Sequence, residues 1–280
     1  MLGNLAAMGF ALASALVIAW GTVVRHRIAA TARGRVMRTS MANRMWWVGT
    51  GAAVVAYALQ LTALSFGTLL IVQPILVLSL MFTLPLSAWY ARRRMPPREI
   101  FWSIALTVAV AILVIYGRPT AGESHPEWAQ WWPAFSAGAA ALAGLWFIAR
   151  ALPRQRALAL GCACGVIYGY VALTAKAVVD LYNAAGLDAL LTYWEFYVLI
   201  LLAGGGTVVQ QYSFHAGELA QSLPAMTIME PIVAFGLGYW VLGEKFQVEA
   251  ILGWMFMALA LVVMAVSTVV LSHTSTRPTK

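Results

Sequence analysis

Charge is what this sequence has least of. Only 10% of its 280 residues are Asp, Glu, Lys or Arg, whereas 62% are hydrophobic. A soluble domain carries about 25% charged residues because something polar must face water. A chain with this little charge cannot cover a soluble surface, so lipid is expected to be the solvent for most of it. Cysteine is nearly as scarce. Cys162 and Cys164 stand alone; two cysteines cannot fill a four-ligand zinc site, and two residues apart on a helix they point in nearly opposite directions. They read as small apolar side chains. Phosphate-binding glycine loops, dinucleotide fingerprints and zinc-protease helices are all missing, as is any paired catalytic constellation. No enzyme, no cofactor and no direct use of ATP is therefore expected.

What is present is apolar sequence in long runs. A helix crosses the bilayer core in about 20 residues, and about nine such runs follow one another, at roughly 3–24, 46–65, 68–90, 99–117, 132–150, 157–179, 194–214, 218–243 and 249–271. Continuous runs of that length exclude a membrane barrel, whose strands alternate over about ten residues. The first run is too long for a signal-peptide core and lacks a basic flank, so it is read as a retained helix. The fold expected is an all-α integral membrane domain spanning 1–280.

The net charge of +8 does not point to nucleic acid, because the basic residues are placed to fix topology. Of the 18 Lys and Arg, 15 fall in three loops and the C-terminal tail: Arg25 to Arg44, Arg92 to Arg98, Arg150 to Arg156, and Arg277 with Lys280. With nine spans all four segments share one side, which the positive-inside rule makes cytoplasmic. The N-terminus is then outside, the tail at 273–280 inside, and the location a cell membrane. Trp46, Trp47, Trp128, Trp131, Trp132, Trp194 and Trp240 fall at span ends, where indole rings favour the headgroup region.

A shift of 150 residues brings Gln60 onto Gln210, Gly67 onto Gly217, Leu69 onto Leu219, Pro74 onto Pro224 and Glu99 onto Glu249. The same frame lays spans one to four on spans six to nine. Residues 1–117 and 157–272 are thus expected to be two copies of one unit, with a loop and connector helix at 118–156. Five spans separate equivalent helices, an odd number, so the copies are inverted in the membrane. Inverted repeats are the architecture of many secondary transporters, which expose one central site to each side in turn.

Span eight and its flank run from Ser222 through Glu230-Pro231 to Leu242-Gly243-Glu244, followed by a last helix bearing Gly253. This resembles the end of the repeat in the drug/metabolite transporter superfamily, EamA type. Asn43-Arg-Met-Trp-Trp-Val-Gly, Ala63 through Pro74, and Gly169 through Ala177 resemble its nine-helix, NIPA-like magnesium transporter branch. The resemblance implies a small transported solute, either a Mg²⁺-like cation or an organic metabolite or drug. At the end of the first repeat, where that branch has an acidic-basic pair, this chain has Arg92-Arg93-Arg94. Lipid-flipping relatives in the superfamily imply a second reading, and a non-transporting scaffold is a third.

Ionisable groups inside a bilayer are costly and mark function by default. Glu230 lies near mid-membrane, between Pro224 and Pro231, and is the main candidate for solute binding, proton coupling or metal ligation, since Mg²⁺ prefers oxygen ligands. Lys176 sits close to the outer end of span six, from where it can snorkel or act at a gate. Gln60, Gln73, Gln210 and Gln211 are candidates for solute binding or for interhelical hydrogen bonds. Pro74, Pro224 and Pro231 are expected to break or kink their helices and serve gating. Partners expected are a small molecule or ion and membrane lipid, with a homodimer left open.

Overall fold

The computed structural model describes residues 2–31, 44–90, 92, 94–123, 126–216 and 219–275. Basic positions 33, 35, 38, 93, 277 and 280, and Gly217, lie outside the described residues. The chain forms helices α1 (Leu2–Thr31), α2 (Arg44–Phe66), α3 (Leu69–Tyr90), α4 (Pro97–Ala111, extended by a π-helical turn Ile112–Tyr116) and α5 (Trp128–Ala151). After a short turn come α6 (Arg156–Ala185), the six-residue α7 (Leu187–Thr192), α8 (Trp194–His215), α9 (Leu219–Trp240) and α10 (Ile251–Ser275). Each predicted span coincides with one helix, because backbone groups surrounded by apolar side chains have only each other to bond.

Seven of these helices are long and apolar enough to cross a membrane: α1, α2, α3, α4 with its π turn, α5, α6 and α10. The remaining long helices, α8 and α9, carry Glu195, Gln210, Gln211, Gln221 and Glu230. These two helices hold Gln210, Gln211, Pro224, Glu230 and Pro231 among the candidate site residues.

Packing follows two parallel schemes. Helix α1 packs against α2 and α3, and α6 packs against α8 and α9; α4 lies on α10, α3 on α9, and α5 covers α6. Small residues make the first two contacts close. Ala7, Ala11, Ala15 and Ala19 form a fully buried row on α1, and Ala157, Gly161, Gly165 and Gly169 form the row 150 residues later on α6. Residues four apart share a helix face, and small ones let backbones approach. A Cβ added at Gly161 would meet the Ser222 carbonyl oxygen at 2.5 Å, and one at Gly165 the Met226 carbonyl oxygen at 2.7 Å.

The α2–α3 turn, the α4–α5 loop, the C-terminal end of α6 and the α9–α10 turn gather at one end of the bundle. Backbone N–H groups of Thr120 and Glu123 donate to Lys245 and Leu242 at 2.8 and 2.7 Å, and Gln247 donates back to Gly117 at 2.9 Å. Gly122 lies so tightly on the turn that a Cβ there would fall 1.7 Å from the Leu242 carbonyl oxygen, and Gly243 takes a φ of +66° to close the turn.

Two expectations need correction. Helices α3 and α9 run unbroken through Pro74, Pro224 and Pro231. Each proline lacks one donor, but the turns on either side keep their own bonds, and all three rings are buried against neighbouring helices. Trp131 is not an interface anchor: it is 1% exposed, stacked on Phe135 and edge-on to Trp194. Trp47, Trp128, Trp132 and Trp240 are exposed, as expected for anchors. Position near a span end selects tryptophans for the headgroup region but does not say which face of the helix they occupy.

Candidate functional site

The α1, α2, α6, α8 and α9 helices surround a cavity of about 410 Å³, within the range of small-molecule sites. Its α2 wall is Ala53, Ala56, Tyr57 and Gln60; its α8 wall is Ala203, Thr207 and Gln210. Under the 150-residue shift Ala53 falls on Ala203, Tyr57 on Thr207 and Gln60 on Gln210. Val17, Ile18 and Gly21 of α1 face Tyr168, Val171, Ala172 and Ala175 of α6, and α9 contributes Met226 and Glu230. Most of the wall is apolar, and the polar groups are few and dispersed.

A matching pair of hydrogen bonds ties each wall to its neighbour. Ser14 Oγ on α1 donates to the Ala56 carbonyl of α2 at 2.7 Å, and Cys164 Sγ on α6 donates to the Gly206 carbonyl of α8 at 3.7 Å. Residue 164 is 14 + 150, and residue 206 is 56 + 150. The sequence did not draw attention to this pair, since serine and cysteine are not identical, yet both place a small donor against the same carbonyl.

Glu230 is half-buried, ten residues before the end of α9, which is about 15 Å along the axis at 1.5 Å per residue. Its backbone N–H would lie 3.1 Å from a Cβ at Gly165, so the glycine row of α6 sets how closely the acid approaches the cavity. Among the described residues no protein group forms a hydrogen bond or ion pair with its carboxylate. On the same wall, Tyr168 Oη donates to Gln210 Oε1 at 3.4 Å, and Gln210 Nε2 and Cys164 Sγ both lie 3.3 Å from Met226 Sδ. Such long bonds are weak, which leaves the Tyr168 hydroxyl and the Gln210 amide free to turn toward a guest.

The cavity therefore brings together Glu230, Gln60 and Gln210 among the residues predicted from sequence. The others lie elsewhere. Gln211 is exposed, 100° around the helix from Gln210. Gln73 is buried in α3, away from the cavity wall, with its amide nitrogen unpartnered. Lys176 is tied down: Nζ donates to the Leu64 carbonyl at 2.9 Å and pairs with Asp180 at 2.6 Å. Sequence reading missed Tyr57, Tyr168, Thr207 and Met226. Tyr57 and Thr207 sit one turn before Gln60 and Gln210, so the repeat applied one turn further along the same face would have found them.

Glu244 follows predicted span eight directly, in the short loop that the nine-span count puts on the outer side, and is nonetheless 1% exposed. Its two carboxylate oxygens accept from the backbone N–H groups of Leu69 and Leu70 at 2.9 and 3.0 Å. It thereby caps the N-terminus of α3, where unpaired donors and the helix dipole favour an anion. On the other side of the α2–α3 turn, Lys176 and Asn183 cap the C-terminal carbonyls of α2, at Leu64 and Ser65. Burial pushes the Glu244 carboxyl up to about 7; the Leu69 and Leu70 bonds and the Lys176 charge pull the other way, and Asp180 adds to the rise.

An uncharacterized protein of Corynebacterium glutamicum is 54% identical to this chain over 285 residues, covering 99% of the chain and 98% of that protein. The chain belongs to that protein's family. No family model matches it, and no solved structure matches it. Full-length similarity at this level means that the two chains share one fold from end to end.

Proposed function

We propose that this family member is a multi-pass secondary transporter or facilitator of a small organic solute carrying positive charge. All nine long helices cross a cell membrane, with the tail inside, and the cavity opens to each side in turn. The observation that carries this reading is a central cavity walled by equivalent faces of α2 and α8, with one unpartnered carboxylate, Glu230, halfway along α9. Further support comes from the duplicated packing of α1 and α6 and from the paired Ser14 and Cys164 bonds, which a chance likeness between the halves would not produce.

The cavity chemistry favours an organic cation over Mg²⁺. A magnesium ion needs near-octahedral oxygen ligation and usually more than one carboxylate or phosphate. Here the wall offers one carboxylate, two amides, two phenols and one threonine hydroxyl among alanine, valine, isoleucine and methionine side chains, and no group of three His, Cys, Asp or Glu that could hold a metal ion exists among the described residues. Apolar walls with one charge suit a molecule that is mostly hydrocarbon with a single ammonium.

The test is flux in liposomes containing the purified protein, run against Mg²⁺, amino acids, organic cations and labelled phospholipid. Uptake of an organic cation is expected, reduced about tenfold or more by Glu230→Gln, since a hydrogen bond to a charged group contributes roughly 1.5–3 kcal/mol. Mg²⁺ flux alone would overturn the substrate class, lipid movement alone would move the protein to the flippase reading, and flux unaffected by Glu230→Gln would remove the acid from the site.

A further inference from the structure

One end of the cavity is fastened by a set of bonds between the two halves. At one end the α2–α3 turn is held from both sides. Glu244, carried by the α9–α10 turn, bonds the first two N–H groups of α3, while Lys176 and Asn183 of α6 hold the last carbonyls of α2. The α9–α10 turn is itself tied to the α4–α5 loop by three backbone bonds. Cavity residue Ala175 is the immediate neighbour of Lys176, so the bond from Lys176 to α2 lies beside one end of the cavity, and the Glu244 bonds hold the α2–α3 turn that follows. They join elements of both halves, since α3 belongs to the first and α6 and the α9–α10 turn to the second.

The 150-residue shift identifies what stands at the equivalent places for the other end. Glu244 maps onto Arg94, Asp180 onto Ala30, and Leu69 with Leu70 onto Leu219 with Ala220. Arg94 is exposed, in the connection between α3 and α4. A carboxylate near a helix N-terminus is stabilising and a cation there is not. The first repeat thus carries a cation, not a carboxylate, at the position of Glu244.

We propose that Glu244 is a latch that holds the cavity shut at the α9–α10 end, and that its replacement by Arg94 in the other half leaves the protein resting open toward the Arg94 end. This rests on the transport reading for its purpose, but the latch is a conformational claim with its own readout. Each turnover must break the Leu69 and Leu70 bonds, so the latch regulates access to the Glu230 site from one side only.

The test needs no substrate. A reporter cysteine is placed in the cavity wall by Ala53→Cys, with Cys162→Ser and Cys164→Ser removing the native thiols. A membrane-impermeant maleimide is then applied from each side of membrane vesicles. In the otherwise unaltered protein, labelling is expected from the Arg94 side. Glu244→Gln is expected to raise labelling from the Glu244 side about tenfold, roughly 1.4 kcal/mol, because the amide nitrogen that replaces one oxygen cannot accept from Leu69 or Leu70, whereas a carboxyl keeps an acceptor on both oxygens in either protonation state. Arg94→Glu, at an exposed position that burdens folding little, is expected to lower labelling from the Arg94 side. Unchanged labelling in a folded Glu244→Gln protein overturns the latch. If that variant does not fold, unchanged labelling in Arg94→Glu overturns it equally. An absence of any solute flux alongside these labelling changes would refute the transport reading and leave the latch standing.

Discussion

At the scale of the residue, the glycine row of α6 decides where the chemistry sits. Gly165 lets α9 lie against α6 so closely that the Glu230 backbone and the Met226 carbonyl are both within about one atom's width of the missing side chain. Gly165→Leu is expected to destabilise the protein by about 1–3 kcal/mol, the usual cost of overpacking, and to weaken solute binding by moving Glu230 outward. A Gly144→Leu control, at a glycine with nothing within 4 Å of an added Cβ, should do neither. Thermal unfolding in detergent, paired with solute affinity, checks both. An equal loss of stability in the two variants would show that added bulk alone, rather than the α6–α9 contact, is responsible. Glu230 was legible in the sequence because a carboxylate in a long apolar run has so few bland explanations. Lys176 carried the same signal and means something different: its partner Asp180 lies one turn on, at the spacing where charges meet on a helix, and that partner could have been read from the sequence.

At the scale of the element, helices expected to break at proline stay whole, and an acid beyond the end of a helix is buried. The helices carrying Pro74, Pro224 and Pro231 stay whole, and Glu244 joins the α2–α3 and α9–α10 turns. Glu244 gives this joint a pH dependence. In the latched state its carboxyl sits at about 7, raised by burial; exposed to water by opening, it returns toward the ordinary carboxylate value of about 4.3. The closed state therefore binds the proton more tightly. Closure is strongest in acid, below the open-state value, and weakens as pH rises through about 7, by at most tenfold per pH unit. The charges facing it are Lys176 and Asp180 on α6, with Lys245 beside it in the turn and Arg118 and Glu123 on the loop bonded to that turn. Spin labels at Lys245 and Leu187 should show one short distance at pH 5 and a growing longer component toward pH 8. Glu244→Gln should abolish the dependence. A pH profile unchanged by that substitution would assign the titration to another group.

At the scale of the whole molecule, the helices were legible because each needs about 20 apolar residues, and no other element of a membrane protein does. The cavity was legible only in part. Gln60 and Gln210 are identical and therefore visible under the shift, whereas Ser14 and Cys164, or the alanine row of α1 and the glycine row of α6, keep the same size and role with different letters. Burial was not legible either: a tryptophan or a glutamate at the end of an apolar run looks the same whether it faces lipid, water or protein, which is why Trp131 and Glu244 were both misplaced. What the duplicated packing requires next is a statement about sidedness. If the halves are inverted copies, equivalent connections must lie across the membrane from one another: the α3–α4 connection at Arg94 opposite the α9–α10 turn at Lys245, and the end of α2 opposite the end of α8. Single cysteines at Arg94 and Lys245, both exposed, in a protein lacking the native thiols, should react with an impermeant maleimide from opposite faces of the membrane. The basic segments at 92–98 and 150–156 should react from one shared face, because that asymmetry is what orients the chain during insertion. Labelling of 94 and 245 from the same face would mean that an even number of crossings separates them; the two halves would then be parallel copies, and alternate opening about a shared cavity would lose its geometric basis.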